Sequence, residues 1–228
     1  MRVRGVDGCR GGWLSVDVDA AEPREFRWRL WSLDETPALV HGDGIAVVAI
    51  DVPIGLPAAG RRACDVEARR LLGRRGVTVF PAPVRPVLTA ASYGEARGML
   101  AARGGPSMSA QAFGIVPAVA AVDRCLSGDD DDRVVECHPE VAFCLLGGGP
   151  GLPPKRTAAG AAIRRQLLAR TWRAVDTVLD GRPARTPEND ALDAIACAWS
   201  GLRFAAGTHV ELGDDTRDDR GLPMRIVA

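Results

Sequence analysis

The sequence has no net charge, no long apolar run and no clustered cysteine or histidine. Its 228 residues contain 29 Lys and Arg against 29 Asp and Glu, so the molecule lacks an overall field that would attract a polyanion. Nucleic acid is therefore a possible partner only through a local basic patch. No apolar run approaches the roughly 20 residues that cross a bilayer, which predicts that no membrane is involved.

Two further absences limit the class of protein. The N-terminus has no basic segment followed by an apolar stretch and a small-residue cleavage site, so we predict a cytoplasmic protein. The six cysteines are widely spaced without a Cys-x-x-Cys pair, which indicates neither a zinc site nor a disulfide framework. Nothing in the sequence indicates the oligomeric state.

The patterning predicts one α/β domain over residues 1–228. Residues 2–8, 12–19 and 25–32 have the pattern of a three-stranded antiparallel meander, and 45–51 and 133–137 that of buried strands. Helical periodicity is present near 34–41, 61–75, 110–127, 157–180 and 188–206. We predict a mixed sheet, the meander plus parallel strands, flanked by helices. The proline-rich, partly helical stretch at about 52–106 is interpreted as an elaboration of this domain.

Three predicted strands finish with an acid, namely Asp7, Asp51 and Glu136. A single acid at such a position is more often a turn residue or a helix cap. Parallel strands, however, bring their carboxyl ends to one edge of a sheet, so three acids there form a cluster. Carboxylates in a cluster repel unless they share a proton or a cation. Oxygen ligands without nearby His or Cys favour Mg²⁺ or Mn²⁺, one or two ions.

The last predicted helix carries two more acids, Asp190 and Asp193. They are three residues apart and therefore neighbours on the helix surface. The helix is apolar on nearly all sides, and unpaired carboxylates are costly to bury there. A metal ion would offset that cost. The alternative is that Asp190, and less readily Asp193, serves only to place negative charge at the helix N-terminus.

Several motifs resemble known families. They are residues 5–13 (GVDGCRGGW), 50–57 (IDVPIGLP), 136–140 (ECHPE) and 190–194 (DALDA). The order of acids resembles that of the ribonuclease H-like superfamily. Almost the whole chain more closely resembles domain-of-unknown-function family 429 (DUF429), described as predicted ribonuclease H-like nucleases. The resemblance implies a ribonuclease H-like fold with a carboxylate site, and nuclease chemistry through the wider superfamily.

The favoured hypothesis is a metal-dependent nuclease that hydrolyses phosphodiester bonds of DNA or RNA. We expect Asp7, Glu136 and Asp193 to bind the metal and act in catalysis. Asp190 is a further metal ligand, and Asp51 is a further catalytic acid that binds the metal or orients water. His138 either positions water or phosphate, or belongs to a His-Pro turn that caps a helix.

Basic side chains supply candidates for substrate binding. Arg61, Arg62 and Lys155 lie on predicted helices or at their entry, where they could contact phosphate. The simpler alternative is a solvated arginine-rich face, paired with acids of the same helix such as Asp65 and Glu67.

Two other functions stay open. In an actin-like phosphotransferase, Gly8, Gly11 and Gly12 would form a phosphate-binding hairpin, but such enzymes need a second lobe for which 228 residues leave no room. A non-catalytic scaffold that binds a nucleotide or a partner is the third interpretation. The retention of all the acids argues mildly against it.

Overall fold

The structure, a computed structural model, describes residues 1–20, 26–130 and 132–228. The strands are β1 (Arg2–Cys9), β2 (Gly12–Asp19), β3 (Phe26–Ser32), β4 (Val47–Ile50), β5 (Val134–Glu136), β6 (Glu211–Arg217) and β7 (Pro223–Val227). The helices are α1 (Thr36–His41), α2 (Ala63–Leu72), α3 (Tyr93–Ala102), α4 (Ala110–Gly114), α5 (Val116–Cys125), α6 (Pro139–Leu146), α7 (Ala158–Thr171), α8 (Val175–Asp180) and α9 (Glu188–Ala205). Short 3₁₀ segments occupy Leu33–Glu35, Gly73–Thr78, Arg85–Thr89 and Gly128–Asp130.

Five strands form a mixed sheet in the order β3-β2-β1-β4-β5. β2 pairs with β1 and β3 in antiparallel fashion, whereas β1, β4 and β5 run parallel. The predicted combination of an antiparallel meander with parallel strands, flanked by helices, is confirmed. Residue 25, the predicted first residue of the third strand, lies outside the described residues.

Two predicted helices are divided in the structure. The helix predicted over 110–127 is interrupted between α4 and α5, where Pro117 occupies the first turn of α5, because proline cannot continue a helix interior. The helix predicted over 157–180 is interrupted after α7. There the backbone of Trp172 is extended and its buried ring meets Phe26 edge to face at 5.7 Å between centroids.

A C-terminal hairpin of β6 and β7 was not predicted. Most of β6 is exposed and rich in aspartate, so it has no alternation of buried and exposed residues. β7 alternates better, and a single parallel bridge joins its Val227 to Cys137. The hairpin therefore lies beside β5 at the edge of the main sheet.

Helix α9 lies unusually close to β1. A Cβ atom built on Gly5 would be 2.1 Å from the Ala194 carbonyl oxygen, and one on Gly201 would be 2.6 Å from Val3 Cγ1. Side chains alternate between the faces of a strand, so Val3, Gly5 and Asp7 all face α9. This packing explains the small apolar residues on the face of α9 that meets the sheet, while residues of α6, α7 and α8 pack with its other residues. It also brings Asp7 to the N-terminal half of the helix.

The opposite face of the sheet is covered by α1 and α5. Leu39 of α1 and Val119 of α5 are fully buried in one cluster with Val6 and Ile50 of the central strands. The sheet is therefore a layer between two sets of helices. Within the described ranges, we find no helix with the length and apolar character needed to cross a bilayer.

Candidate functional site

Asp7 and Asp51 lie side by side at the carboxyl ends of two parallel strands. The register pairs Val6 of β1 with Ile50 of β4, so the two aspartates follow at the same level. Ala49 would contact a Cβ on Gly201 of α9, which places Asp51, two residues later, on the α9 side with Asp7. The two carboxylates are close enough for the charge of Asp51 to raise the pKa of Asp7.

Helix α9 adds Asp193 to this pair. Asp193 is only 1% exposed. Its charge raises the pKa of Asp7, and the charge of Asp51 raises the pKa of Asp193. Asp190 lies one turn earlier and is partly buried, and its charge also raises the pKa of Asp7. We refer to Asp7, Asp51 and Asp193 as the acid group, with Asp190 at its periphery.

One lysine accompanies these carboxylates. Lys155 donates a hydrogen bond from Nζ to Oδ2 of Asp193. Its loop is held at the start of α7, where Thr157 caps the Gly160 amide at 3.0 Å and the buried Arg164 donates to the Pro153 carbonyl at 2.9 Å. Burial alone lowers the pKa of Lys155, but the carboxylates of Asp193, Asp7 and Asp51 together more than reverse this effect and the pKa is raised. The lysine is therefore a cation.

The pKa values of the acid group rise because the carboxylates are buried together. Burial raises the pKa of Asp7 well above its usual value, Asp193 and Asp51 raise it further, and Lys155 opposes them. Burial also raises the pKa of Asp51 and of Asp193 to about 6, again against Lys155. At neutral pH this group holds more negative charge than one lysine can neutralise.

The donor set fits a divalent cation. One oxygen of Asp193, Oδ1, is buried and has no hydrogen-bond partner in the described part of the chain. Clustered carboxylates with a free oxygen are the ligands that Mg²⁺ and Mn²⁺ prefer. In the present arrangement, the described residues contain no group of three or more His, Cys, Asp or Glu poised to hold a metal ion. A cation on the free Oδ1 of Asp193 would lie beside the positive charge that Lys155 places on Oδ2.

A cavity of about 530 Å³ opens over the acid group. Asp7 and Asp51 line it together with Glu136, Lys155 and His138. Asp193 lies beneath Lys155. The cavity is thus the route by which solvent or a substrate reaches the carboxylates.

Glu136 lines the same cavity without joining the acid group. Its Oε1 accepts from Arg62 Nη2 at 2.8 Å, and its Oε2 accepts from Arg62 Nη1 at 2.6 Å and from the Ile54 amide at 2.7 Å. Both oxygens therefore already have strong donors. The expected convergence with Asp7 and Asp193 does not include Glu136.

The register of β5 explains the position of Glu136. Glu136 is level with Ile50 and Val6, whose side chains point to the face opposite α9. Cys137 is the residue level with Asp51, and it packs on the α9 side. The prediction treated all three strand-end acids alike, although Glu136 is one position out of step with the two aspartates.

The structure corrects the prediction that Arg62 contacts phosphate. The Arg62 side chain is 1% exposed and is paired with Asp65 and Glu136, so it cannot reach a ligand in solution. Arg61 is exposed just before α2. Neither arginine is among the described residues that line the cavity.

His138 stands at the cavity wall, at the N-cap position of α6. Its side chain makes no capping hydrogen bond, and within the described chain its buried Nδ1 has no partner. Burial lowers the pKa of His138, so the ring is neutral near pH 7. The side chain therefore retains a polar atom that it does not use in the helix cap.

The glycines of the β1–β2 hairpin have structural explanations. Gly11 has a φ of +86° in the turn, a conformation that favours glycine. A Cβ on Gly12 would be 1.9 Å from the Trp31 carbonyl oxygen. Gly8 lines the cavity. Two of the three glycines thus need no bound phosphate to account for them.

Sequence analysis missed two features of the site. Glu140 is 4% exposed and accepts twice from Arg164 at 2.8 Å, an ion pair joining α6 and α7 that no spacing in the sequence indicates. The cavity also has an apolar wall that includes Val77, Phe80 and Ile115. These residues come from separate segments, so no local pattern could reveal that they meet.

Comparison with known proteins gives one match. The family described as "Protein of unknown function (DUF429)" matches residues 5–217. No curated protein and no solved structure matches the chain. The matched range includes the whole acid group and Lys155.

Proposed function

The chain belongs to the DUF429 family, and we propose that it is a divalent-metal-dependent nuclease that hydrolyses phosphodiester bonds. The observation that carries the proposal is the charge of the acid group. Three buried carboxylates share one lysine, and Asp193 Oδ1 has no donor in the described chain. Such an arrangement is costly for folding and suits a site that binds a cation.

The sheet supports a ribonuclease H-like fold. Its order, with an antiparallel meander followed by two parallel strands, agrees with the fold that the sequence resembles. Asp7 and Asp51 come from adjacent central strands and Asp193 from the helix that packs on them. Ligands of open α/β sheets collect at this edge.

Each residue has a role in this proposal. The ligands of Mg²⁺ or Mn²⁺ would be Asp7, Asp51 and Asp193, with Asp190 as a further ligand. Glu136 would not bind the metal, because it is paired with Arg62. The bound cation would activate water and stabilise the leaving oxygen of a phosphodiester.

Two side chains at the cavity act without being ligands. The neutral ring of His138 offers an unpaired Nδ1 that can accept a hydrogen bond from a water molecule at the cavity wall. Lys155 neutralises Asp193 before a cation binds. Once released from Asp193, its ammonium group is free to contact phosphate.

The proposal is tested by metal binding and hydrolysis in one set of variants. Wild type should bind Mn²⁺ in calorimetry and cleave single-stranded DNA, duplex DNA or RNA with Mn²⁺ and not with EDTA. Asp193→Asn keeps the size of the side chain and removes its charge. We expect it to weaken Mn²⁺ binding and slow hydrolysis by roughly 100-fold or more.

Asp43→Asn is the matched control, because Asp43 is an exposed acid after α1. It should behave as wild type in both assays. Hydrolysis by Asp193→Asn at the wild-type rate would refute the proposal. Mn²⁺ binding by wild type without cleavage of any substrate would favour the non-catalytic scaffold.

A further inference from the structure

Part of the lining of the cavity over the acid group is apolar and exposed. Seven large apolar side chains are exposed in the described residues, and three of them, Val77, Phe80 and Ile115, line this one cavity. Val77 is 72% exposed. Exposed apolar side chains are costly in water, and their concentration beside a polar site marks a surface that a ligand covers.

Phe80 gives this wall a flat ring. It is the one phenyl ring among the described residues that line the cavity, and it is 36% exposed. Every nucleobase has a π face, and stacking on aromatic side chains is how proteins hold unpaired bases without regard to sequence. The ring is therefore available to stack on a base.

Positive charge stands near the ring. Lys155, Arg156 and Arg75 line the same cavity. Arg156 is exposed, while Arg75 is paired with Glu140. An apolar wall, cationic side chains and a carboxylate floor match the parts of a nucleotide: base, phosphate and the bond to be cut.

The size of the cavity selects an unpaired nucleotide. A volume of about 530 Å³ is in the range of pockets for single small ligands. A stacked duplex reaches such a pocket only by extruding a base, which costs a few kcal/mol of unstacking. A free strand reaches it without that cost.

A second cavity indicates where the strand continues. It has a volume of about 300 Å³ and shares Val77, Val79 and Phe80 with the first. Phe80 thus stands between two adjacent spaces. A neighbouring nucleotide can occupy the second space, which favours a strand over a free nucleotide.

We propose that the cavity binds one unpaired nucleotide of a single strand, with its base stacked on Phe80 and its phosphate facing Lys155 and Arg156. This rests on the proposed nuclease function and names its substrate class, single-stranded nucleic acid. The adjoining cavity receives the next nucleotide. Duplex is bound only where a base can leave the stack.

The test measures binding separately from hydrolysis. Fluorescence anisotropy at low salt, in EDTA and again with Ca²⁺, compares a labelled single strand of about 12 nucleotides with the matching duplex. Wild type should bind the strand more tightly. Phe80→Ala should weaken strand binding roughly tenfold, and Phe80→Trp should restore it because indole stacks at least as well.

Val66→Ala is the control, since Val66 is 43% exposed on α2 and outside the cavity lining in the described chain. It should bind as wild type, and thermal melts check that each variant folds. The inference is overturned if Phe80→Ala binds as wild type, if duplex binds as tightly as the strand, or if no strand binds in either condition. A nucleoside monophosphate that binds when the strand does not would also overturn it.

The outcome is distinguishable from failure of the nuclease proposal. Strand binding that depends on Phe80, without Mn²⁺-dependent cleavage, keeps the inference and removes the nuclease. Cleavage of duplex that is insensitive to Phe80→Ala keeps the nuclease and removes the inference.

Discussion

Two groups of carboxylates lie around the same cavity, and different cations neutralise them. Asp65 and Glu136 share Arg62, whereas Asp7, Asp51 and Asp193 share Lys155. The guanidinium of Arg62 is buried with its partners, while the lysine reaches Asp193 from the cavity. The first group is neutralised by a buried guanidinium, and the second partly by a lysine that lines the cavity.

The difference lies in how many oxygens have donors. Each of the four oxygens of Asp65 and Glu136 accepts at least one hydrogen bond, from Arg62 or from the amides of Ile54 and Ala82. Asp193 has one oxygen on Lys155 and another that nothing in the described chain satisfies. Satisfied carboxylates hold structure together, and unsatisfied ones indicate a binding site.

The largest change in stability is expected when Arg62, the cation that pairs with Asp65 and Glu136, is removed. Arg62→Met leaves Glu136 and Asp65 buried without their main donor, so the free energy of unfolding should fall by about 3–5 kcal/mol. Urea denaturation in EDTA measures this change. Arg61→Met, at the exposed neighbouring position, should change stability by less than about 0.5 kcal/mol. If Arg62→Met lowered the free energy of unfolding only slightly, Arg62 would not be the cation that stabilises Asp65 and Glu136, and the contrast with the acid group would fail.

Removing a charge from the acid group is expected to raise stability, by less than the loss of Arg62 lowers it. The pKa of Asp51 is about 6 in the folded state, above its value in the unfolded chain. The folded state therefore binds more protons between these values, and the stability this gives is lost as pH rises through about 6. Asp51→Asn removes the part of this dependence that comes from Asp51, while Asp193, whose pKa is also about 6, keeps its own. The variant should be more stable than wild type at about pH 8, on the order of 1–3 kcal/mol.

Urea denaturation in EDTA between about pH 4.5 and 8 follows this difference. Asp43→Asn, in an exposed turn, should keep the wild-type pH profile. An Asp51→Asn protein that is less stable than wild type at the upper end would show that Asp51 is a satisfied structural acid.

The smallest effect concerns the lysine of the acid group. The ammonium group of Lys155 lies against Asp193, so its positive charge competes with a cation for this carboxylate. Lys155→Met removes this competitor and should tighten Mn²⁺ binding roughly 3- to 10-fold, equivalent to about 1 kcal/mol. Calorimetry at about pH 8 measures the affinity, with Lys155→Arg as the variant that keeps the charge. Weaker binding by Lys155→Met would mean that the lysine supports the metal site.

The two groups also show which parts of the site could be predicted. Asp7 and Asp51 follow apolar strands, and Asp193 lies on a helix without a polar face, so strand and helix periodicity was enough to select them. Glu136 satisfied the same criterion of an acid at a strand end. Its orientation depends on the register of β5 against β4, which one sequence does not show.

The sequence by itself determined the mixed sheet, the burial of α9 and the choice of aspartates. Each of these follows from local periodicity: two for strands, 3.6 for helices, and the cost of burying a charge. The sequence also determines how closely α9 approaches β1, because only glycine at positions Gly5 and Gly201 leaves room for this contact.

Only the tertiary structure decided which carboxylates have hydrogen-bond donors for both oxygens and which do not. Arg62 and Glu136 are 74 residues apart, and Lys155 and Asp193 are 38 apart. Whether a carboxylate is satisfied depends on the donors that folding brings within about 3 Å of it. Arg62–Asp65 is a pair at i, i+3 that the local pattern did indicate, but the partners Glu136 and Lys155 are set by chain packing across such separations, and no pattern of neighbouring residues encodes them.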